Sequence, residues 1–396
     1  MKIKELQGKI ILDSRQEKTI EVLVKSNLGI FSSSSPSGKS KGKNERPAFI
    51  GSAERDIKEL INLQDKISEI DIEEFNDLIE VEKIVLGKIG ANSLFALESG
   101  ILKALALEQG KQLWQIINEK ANKFPFPVGN CIGGGLHSRT INFLKPDFQE
   151  FLVIPKSKNF SDNIFLMSKA RKICGERLKL RKALGNLSDE NAWSTSLDNE
   201  ETLDVLNKTR EELEQEGEKV GIGVDIAAST FYTGLVYSYK NPVKRLNPEE
   251  QKNYIRSLIE NFRLSYVEDA FHEDDFESFA ELRKEIIKER ACLIVGDDLI
   301  TSQLERLKKA LLKRAVNAII VKPNQVGSLI EIAKLVNLAK KYEIITIMSH
   351  RSGETLDYAL ADLAFGFQTE FIKTGIAGKE REIKLKRMIE IEKEFE

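Results

Sequence analysis

Six ionisable residues, Asp225, Glu268, Asp297, Lys322, His350 and Lys373, follow one another at intervals of 43, 29, 25, 28 and 23 residues, each closing a short apolar run. Three are carboxylates, and on neighbouring strands of one sheet they would crowd negative charge into a single cleft. Repulsion in such a cleft pushes protons onto the acids unless a cation compensates. An all-oxygen donor set suits a hard divalent ion such as Mg²⁺ or Mn²⁺, and the chain supplies no His/Cys cluster that would favour zinc.

The elements that must hold these residues are legible around them. The runs RLSYVED, CLIVGDD, NAIIVK, EIITIMSH and EFIK are rich in Ile and Val and nearly continuous in apolar character, as expected of strands covered on both faces. Between them lie the helical patterns DDFESFAELRKEIIKE, SQLERLKKALLKR and SLIEIAKLVNLAKKY. Alternation of this kind predicts an α/β fold with a parallel sheet. The number of units favours a closed (β/α) barrel, in which polar groups at the C-terminal strand ends line the active site.

With 396 residues the chain exceeds the roughly 250 residues of a barrel, so a second domain is expected. Residues 1–31 read as strands, KIILDSR and then TIEVLVKSNLGIF, with SNLG as turn chemistry. The stretch SSSSPSGKSKGKNE has the composition of a surface loop, over about 32–45. Helical periodicity runs from Ser52 to about Glu119, and ANKFPFPVGN marks a boundary. The expected organisation is an α+β domain over 1–120, a linker over 121–127 and a barrel over 128–396.

Sixty basic against 62 acidic residues give no global field to recruit nucleic acid or an acidic membrane surface. Three cysteines, Cys131, Cys174 and Cys292, are few, odd in number and without a CxxC spacing, which excludes a disulfide framework. No run has the length of a signal peptide or a membrane span, so a cytoplasmic enzyme is expected. Further polar candidates sit upstream of the strand-end series: His137 after three glycines in NCIGGGLHSR, Gln149 and Glu150 in FQEFLVIP, and Glu190 in the polar loop GNLSDENAWSTSLDNEE. Taken alone, a single histidine is ordinarily structural and a loop glutamate ordinarily solvated.

Read together and in order, ILDSR, PSGKS, GANSLFAL, GGGLHSR, FQEFLVIP, SDEN, GVDIAASTFY, VEDAFHEDDF, VGDDL, IIVKPNQVGSL, SHRSGET, ADLAFG and IKTG resemble the enolase (phosphopyruvate hydratase) family through nearly the whole chain. The resemblance implies an α+β domain followed by an enolase-type (β/α)8 barrel whose first units depart from simple βα order. It implies the reversible dehydration of 2-phosphoglycerate to phosphoenolpyruvate in glycolysis and gluconeogenesis, two Mg²⁺ per site, and a homodimer or an octamer built of dimers. By the same resemblance Asp225, Glu268 and Asp297 are ligands of the tighter Mg²⁺, and Ser40 reaches the second. Lys322 is the base that takes the C2 proton, and Glu190 the acid that protonates the departing hydroxyl. Arg351 and Ser352, with Ser349 beside them, match phosphate contacts; Lys373 matches the cation beside the carboxylate. His137, Gln149, Glu150 and His350 match supporting residues near the leaving group. Cations around Lys322 are expected to lower its pKa, and burial near Glu150 is expected to keep Glu190 protonated.

The chain departs from the family pattern in its loops. GDEGGFAP has become SDENAWSTS, so Asn191 and Ala192 stand where glycines are usual and Trp193 where phenylalanine is; SGAST has become SGKSK, adding Lys39 and Lys41. Glycine permits backbone conformations that alanine does not, so a shifted Glu190 loop is expected. Two other readings therefore stand beside hydratase: a divergent paralogue acting on another phosphorylated acid, and a non-catalytic binding protein.

Overall fold

In the computed structural model, residues 1–39, 42–138, 144–289 and 291–395 are described. The chain opens with an antiparallel meander, β1 (Glu5–Leu12), β2 (Lys18–Ser26) and β3 (Gly29–Ser34). The alternation in TIEVLV sends Ile20, Val22 and Val24 into the core. Helices α1 (Ala53–Ser68), α2 (Leu78–Val85), α3 (Ala91–Glu108) and α4 (Leu113–Asn118) follow. Of these α3 is buried almost all round, because β2 and β3 cover one side and the barrel turn Pro323–Gln325 meets another.

The barrel strands are β4 (Phe126–Gly133) and β5 (Glu150–Pro155), followed by helix α5 (Phe160–Leu180). A short ribbon, β6 (Leu184–Leu187) and β7 (Trp193–Thr195), precedes α6 (Asn199–Gln215) and β8 (Val220–Asp225). A hairpin that the apolar pattern does not announce, β9 (Tyr237–Lys240) and β10 (Val243–Leu246), leads into α7 (Pro248–Phe262). Regular units then run β11 (Tyr266–Glu268), α8 (Phe276–Glu289), β12 (Leu293–Gly296), α9 (Leu304–Lys313) and β13 (Ala318–Val321). They end with α10 (Leu329–Lys341), β14 (Ile345–Ser349), α11 (Ala359–Gly366), β15 (Phe371–Lys373) and α12 (Lys379–Lys393).

Pairing of β15 with β4 closes the barrel through β4, β5, β8 and β11 to β15. All neighbours are parallel except that β5 runs antiparallel to both β4 and β8. The first two strands thus precede two helices, a ββαα opening that accords with the expected departure from simple βα order.

Two apolar layers hold the closure. Val128, Leu152, Tyr266, Val295, Ile320 and Ile347 fill the barrel interior, while the outer faces of the strands pack against the helix ring. Gly223 has a packing reason: a Cβ there would stand 2.6 Å from the Tyr266 side chain. Helix starts carry reciprocal caps, Asp198 with Glu201 and Asn247 with Glu250.

One buried ion pair ties the meander to the barrel. Lys103 of α3 lies 2.7 Å from Asp357, both about nine-tenths buried, and the same Asp357 oxygen accepts from the Ser34 backbone at 3.0 Å and the Ser33 hydroxyl at 2.8 Å. Burial raises the Asp357 pKa, but Lys103 and the donors outweigh it and hold it below the usual value. A depressed carboxyl stabilises the fold above the unfolded value of about 3.9 and loses that contribution as pH falls through the folded value. Lys103→Met leaves the charge buried and unpaired, so denaturant unfolding at pH 7 should show a loss of about 3 kcal/mol. A loss below 1 kcal/mol would mean the pair is solvated.

Candidate active site

The three strand-end carboxylates sit at the ends of adjacent barrel strands. Glu268 of β11 stands in register with Asp225 of β8 and with Val295 of β12, so Asp297, one residue past β12, continues the row. All three are buried. Lys373, at the end of β15, bridges two of them and Glu150, with contacts of 3.3 Å to Asp225 Oδ2, 2.8 Å to Glu268 Oε2 and 3.0 Å to Glu150 Oε2. Lys322, just past β13, is paired with Asp297. Burial, opposed by Lys373, pushes the Asp225 carboxyl up to about 7; burial and Asp225 push Glu268 up to about 8.

Lys322 departs from expectation. Burial does work to depress its ammonium, but the adjacent Asp297 outweighs it and the net shift is upward. The expectation weighed the neighbouring cations, and the partner carboxylate at contact distance dominates.

A second cluster faces the first across the cavity. Glu150 is the first residue of the reversed strand β5, and that reversal sets it opposite Asp225 with its carboxyl at the barrel's C-terminal mouth. Burial and Glu190 raise Glu150 to about 7. Glu190 is delivered by the turn before β7, whose residues Trp193 and Ser194 pair with Ile132 and Gly133 of β4. Asn130 donates to Glu190 Oε2 at 3.1 Å, and Glu190 Oε1 lies 3.6 Å from His137 Nδ1 and 3.7 Å from His350 Nε2. Burial lowers His137 to about 4 and His350 well below its ordinary value, so both rings are neutral at pH 7 and these contacts are not ion pairs.

The third wall comes from the loops after β14 and β3. Arg351 is gripped at Nη2 by both oxygens of Glu45 at 3.0 Å and reaches Asn324 Oδ1 from Nη1 at 3.3 Å. Ser352 Oγ accepts from Arg15 Nη1 at 3.3 Å and from the Lys39 backbone at 3.0 Å. The loop after β3 lies across the mouth, bridged Ser37 to Gly353. Gly38 is the point of closest approach: a Cβ would sit 1.9 Å from the Arg351 guanidinium. Ser40 and Lys41 lie outside the described residues.

These groups line one narrow, partly open cleft of about 20 Å³, bordered by Gly38, His137, Gln149, Glu150, Glu190, Asp225, Lys322, Ser349, His350, Arg351, Ser352 and Lys373. Glu268 and Asp297 stand behind it, reached through Lys373 and Lys322.

A family profile described as "Enolase, C-terminal TIM barrel domain" matches residues 121–396. The chain is 35% identical to the enolase of Methanosphaera stadtmanae over 99% of its own length and 97% of the relative's. It is 36% identical to that of Pyrobaculum aerophilum, over 95% of this chain and 91% of the other, and 35% identical to that of Sulfolobus acidocaldarius, over 100% and 96%.

The chain belongs to the enolase family. It is therefore an enzyme of the lyase class acting on a small molecule, and enolase membership implies a divalent metal. The donors present fit one. Glu268 Oε1, Asp297 Oδ1 and Gln149 Oε1 are buried without a hydrogen-bond donor, beside carboxyls that burial drives toward protonation. Asp269, Asp297 and Asp298 offer oxygens within 4.8 Å of one another. Asp269 is a turn former, however, with its oxygens accepting from the backbones of Asp297 at 3.0 Å and Asp298 at 2.8 Å.

Arg15, Gly38, Glu45, Asn130, Asp269 and Asn324 escaped the sequence reading as site residues. Arg15, Gly38, Asp269 and Asn324 lie in the motifs DSR, PSGKS, VEDAFHEDDF and VKPNQVG, so their signal was present in the enolase resemblance but not in strand-end periodicity, whereas Glu45 ends the loop SSSSPSGKSKGKNE and Asn130 only precedes GGGLHSR. The altered acid loop is also accounted for. Asn191 takes the left-handed φ of 59° where a glycine is usual, a conformation asparagine tolerates, and Ala192 has no positive φ.

Carboxyls raised in the fold stabilise it fully below their unfolded pKa and lose that contribution as pH rises through the folded value. With divalent ions chelated, denaturant stability should therefore fall between about pH 4 and 8, the window from the ordinary carboxylate range to the raised values of Asp225 and Glu268. In Glu268→Gln the fall should shrink; an unchanged profile would contradict the raised values.

Proposed function

We propose that the chain is a phosphopyruvate hydratase that interconverts 2-phosphoglycerate and phosphoenolpyruvate with Mg²⁺. The observation that carries this reading is that the proposed base, Lys322, and the proposed acid, Glu190, line one cavity with carboxylates beneath and Arg351 above.

Asp225, Glu268 and Asp297 would hold the tighter Mg²⁺; the second is assigned to Ser40 from sequence alone. Bound there, the divalent charge would fasten the substrate carboxylate and offset the negative charge that builds on it when the α-proton leaves. Lys373 adds a fixed ammonium on the same side. Lys322 takes the C2 proton as a neutral amine. Its burial and the cations Arg351 and Lys373 favour that form, and the Asp297 carboxylate opposes it. Engagement of Asp297 by other charge would remove the opposition.

Glu190 gives its proton to the departing hydroxyl. The Asn130 amide donates to its carboxyl, and the neutral rings of His137 and His350 stand 3.6 and 3.7 Å away without adding charge. Glu150 and Gln149 complete the floor, and Arg351, Ser352 and Ser349 receive the phosphoryl group, for which a guanidinium fork is well matched.

We also take residues 1–120 as an α+β domain with its lid at 32–45, 121–127 as a linker and 128–396 as the catalytic barrel. Among the described residues no helix is long and apolar enough to cross a membrane. A cytoplasmic homodimer or octamer is the assembly proposed from the resemblance.

Ultraviolet absorbance of phosphoenolpyruvate formation tests this. Lys322→Ala and Glu190→Gln should each lower kcat by about a thousandfold, the scale of a lost general base or acid. Full turnover in Lys322→Ala would remove the base assignment. Chelation should abolish activity and lower the thermal midpoint, with both restored by Mg²⁺; a midpoint indifferent to Mg²⁺ would reject the ligand set.

A further inference from the structure

We propose that Lys39 is a positioning residue that latches the loop over the cavity onto the loop carrying Glu190. The inference rests on the hydratase reading for its kinetic consequence, though not for its geometry.

Lys39 Nζ donates to Asp189 Oδ2 at 2.6 Å and to the carbonyl of Leu136 at 2.8 Å, while its backbone N–H donates to Ser352 Oγ at 3.0 Å. One residue thus joins the crossing loop to three others. Asp189 and Leu136 are the immediate neighbours of Glu190 and His137, and Ser352 follows Arg351. The Asp189 side chain is 5% exposed and that of Lys39 39%, so a flexible cation reaches inward to a fixed, desolvated anion. A lysine ammonium has three donors, and two are spent here on loops from different strands.

This position departs from the SGAST pattern, where alanine could form neither side-chain bond. The acid loop departs as well, and its far side is held by a separate clamp. Arg171 of α5 donates to the Asn191 carbonyl at 2.9 Å and covers the Trp193 ring at 4.5 Å. The loop bearing the proposed acid is therefore gripped from two sides: Arg171 secures it to the barrel, and Lys39 secures it to the cover. Loss of Lys39 leaves every reacting group in place and lowers only the fraction of molecules with the cover docked. Apparent affinity scales with that fraction.

The test combines steady-state kinetics with hydrogen exchange. Lys39→Ala should raise KM for 2-phosphoglycerate about tenfold while kcat falls less than about threefold, because ground-state docking and not chemistry is weakened. Lys39→Arg, which can still pair with Asp189, should recover most of the affinity. Asp189→Asn should raise KM less in the Lys39→Ala protein than in the parent, since the two substitutions share the Lys39–Asp189 contact. Without substrate, Lys39→Ala should speed amide exchange in both 32–39 and 186–191. Unchanged KM, additive effects in the double variant, or exchange altered in neither loop would overturn the latch. A parent without turnover would instead sink the hydratase reading, leaving the exchange experiment to decide the latch by itself.

Discussion

The site depends on an excess of buried negative charge that the protein only partly neutralises. Asp225, Glu268, Asp297, Glu150 and Glu190 converge at the barrel mouth, and the ammonium groups of Lys322 and Lys373 are set among them. Two lysines cannot satisfy five carboxyls, and burial makes each unmet charge costly. Burial pushes Asp225, Glu268 and Glu150 toward protonation, whereas Lys322 outweighs burial at Asp297 and holds it down, and Glu268 Oε1 and Asp297 Oδ1 stand without donors where a divalent cation would complete them. Stability is surrendered locally so that binding can restore it, which is the usual relation between an active site and its scaffold.

The surrounding structure reads as the support for that concentration of charge. Parallel neighbours present Asp225, Glu268 and Asp297 in one row, and barrel closure brings Lys373 round to meet the first of them. Helix α3 is buried between the meander and the turn after Lys322, so the N-terminal sheet backs the wall that carries the proposed base. The Lys103–Asp357 pair repeats that connection through the loop following Arg351.

Strand-end periodicity made the regular half of the barrel and its six ionisable residues legible, because spacing along a βα repeat translates directly into position around the mouth. It could not show Glu150, whose strand runs backwards and puts a first residue where others put their last. Nor could it show Glu190, which reaches the mouth by pairing of β7 with β4 and not by any repeat. Those positions came through motif resemblance. The protonation of Lys322 was misjudged for a different reason: contact with one carboxylate outweighs several more distant cations, and contact is invisible in a sequence. Asn191 at a glycine position looked disruptive on paper, yet asparagine accepts the same left-handed backbone.

The inverted strand β5 has an implication for the order of events. Glu150 is mounted on continuous barrel backbone, as are Asp225 and Lys373, whereas Glu190 and Arg351 ride on excursions between elements. The anion-rich floor is thus a permanent anvil, present whether or not the overlying segments are seated. With a divalent ion seated on it, that floor would offer an incoming anion its first hold, ahead of the groups carried on the excursions. Seating of the excursions would then follow occupancy of the floor, and a loosely filled pocket would leave Glu190 and Arg351 unengaged.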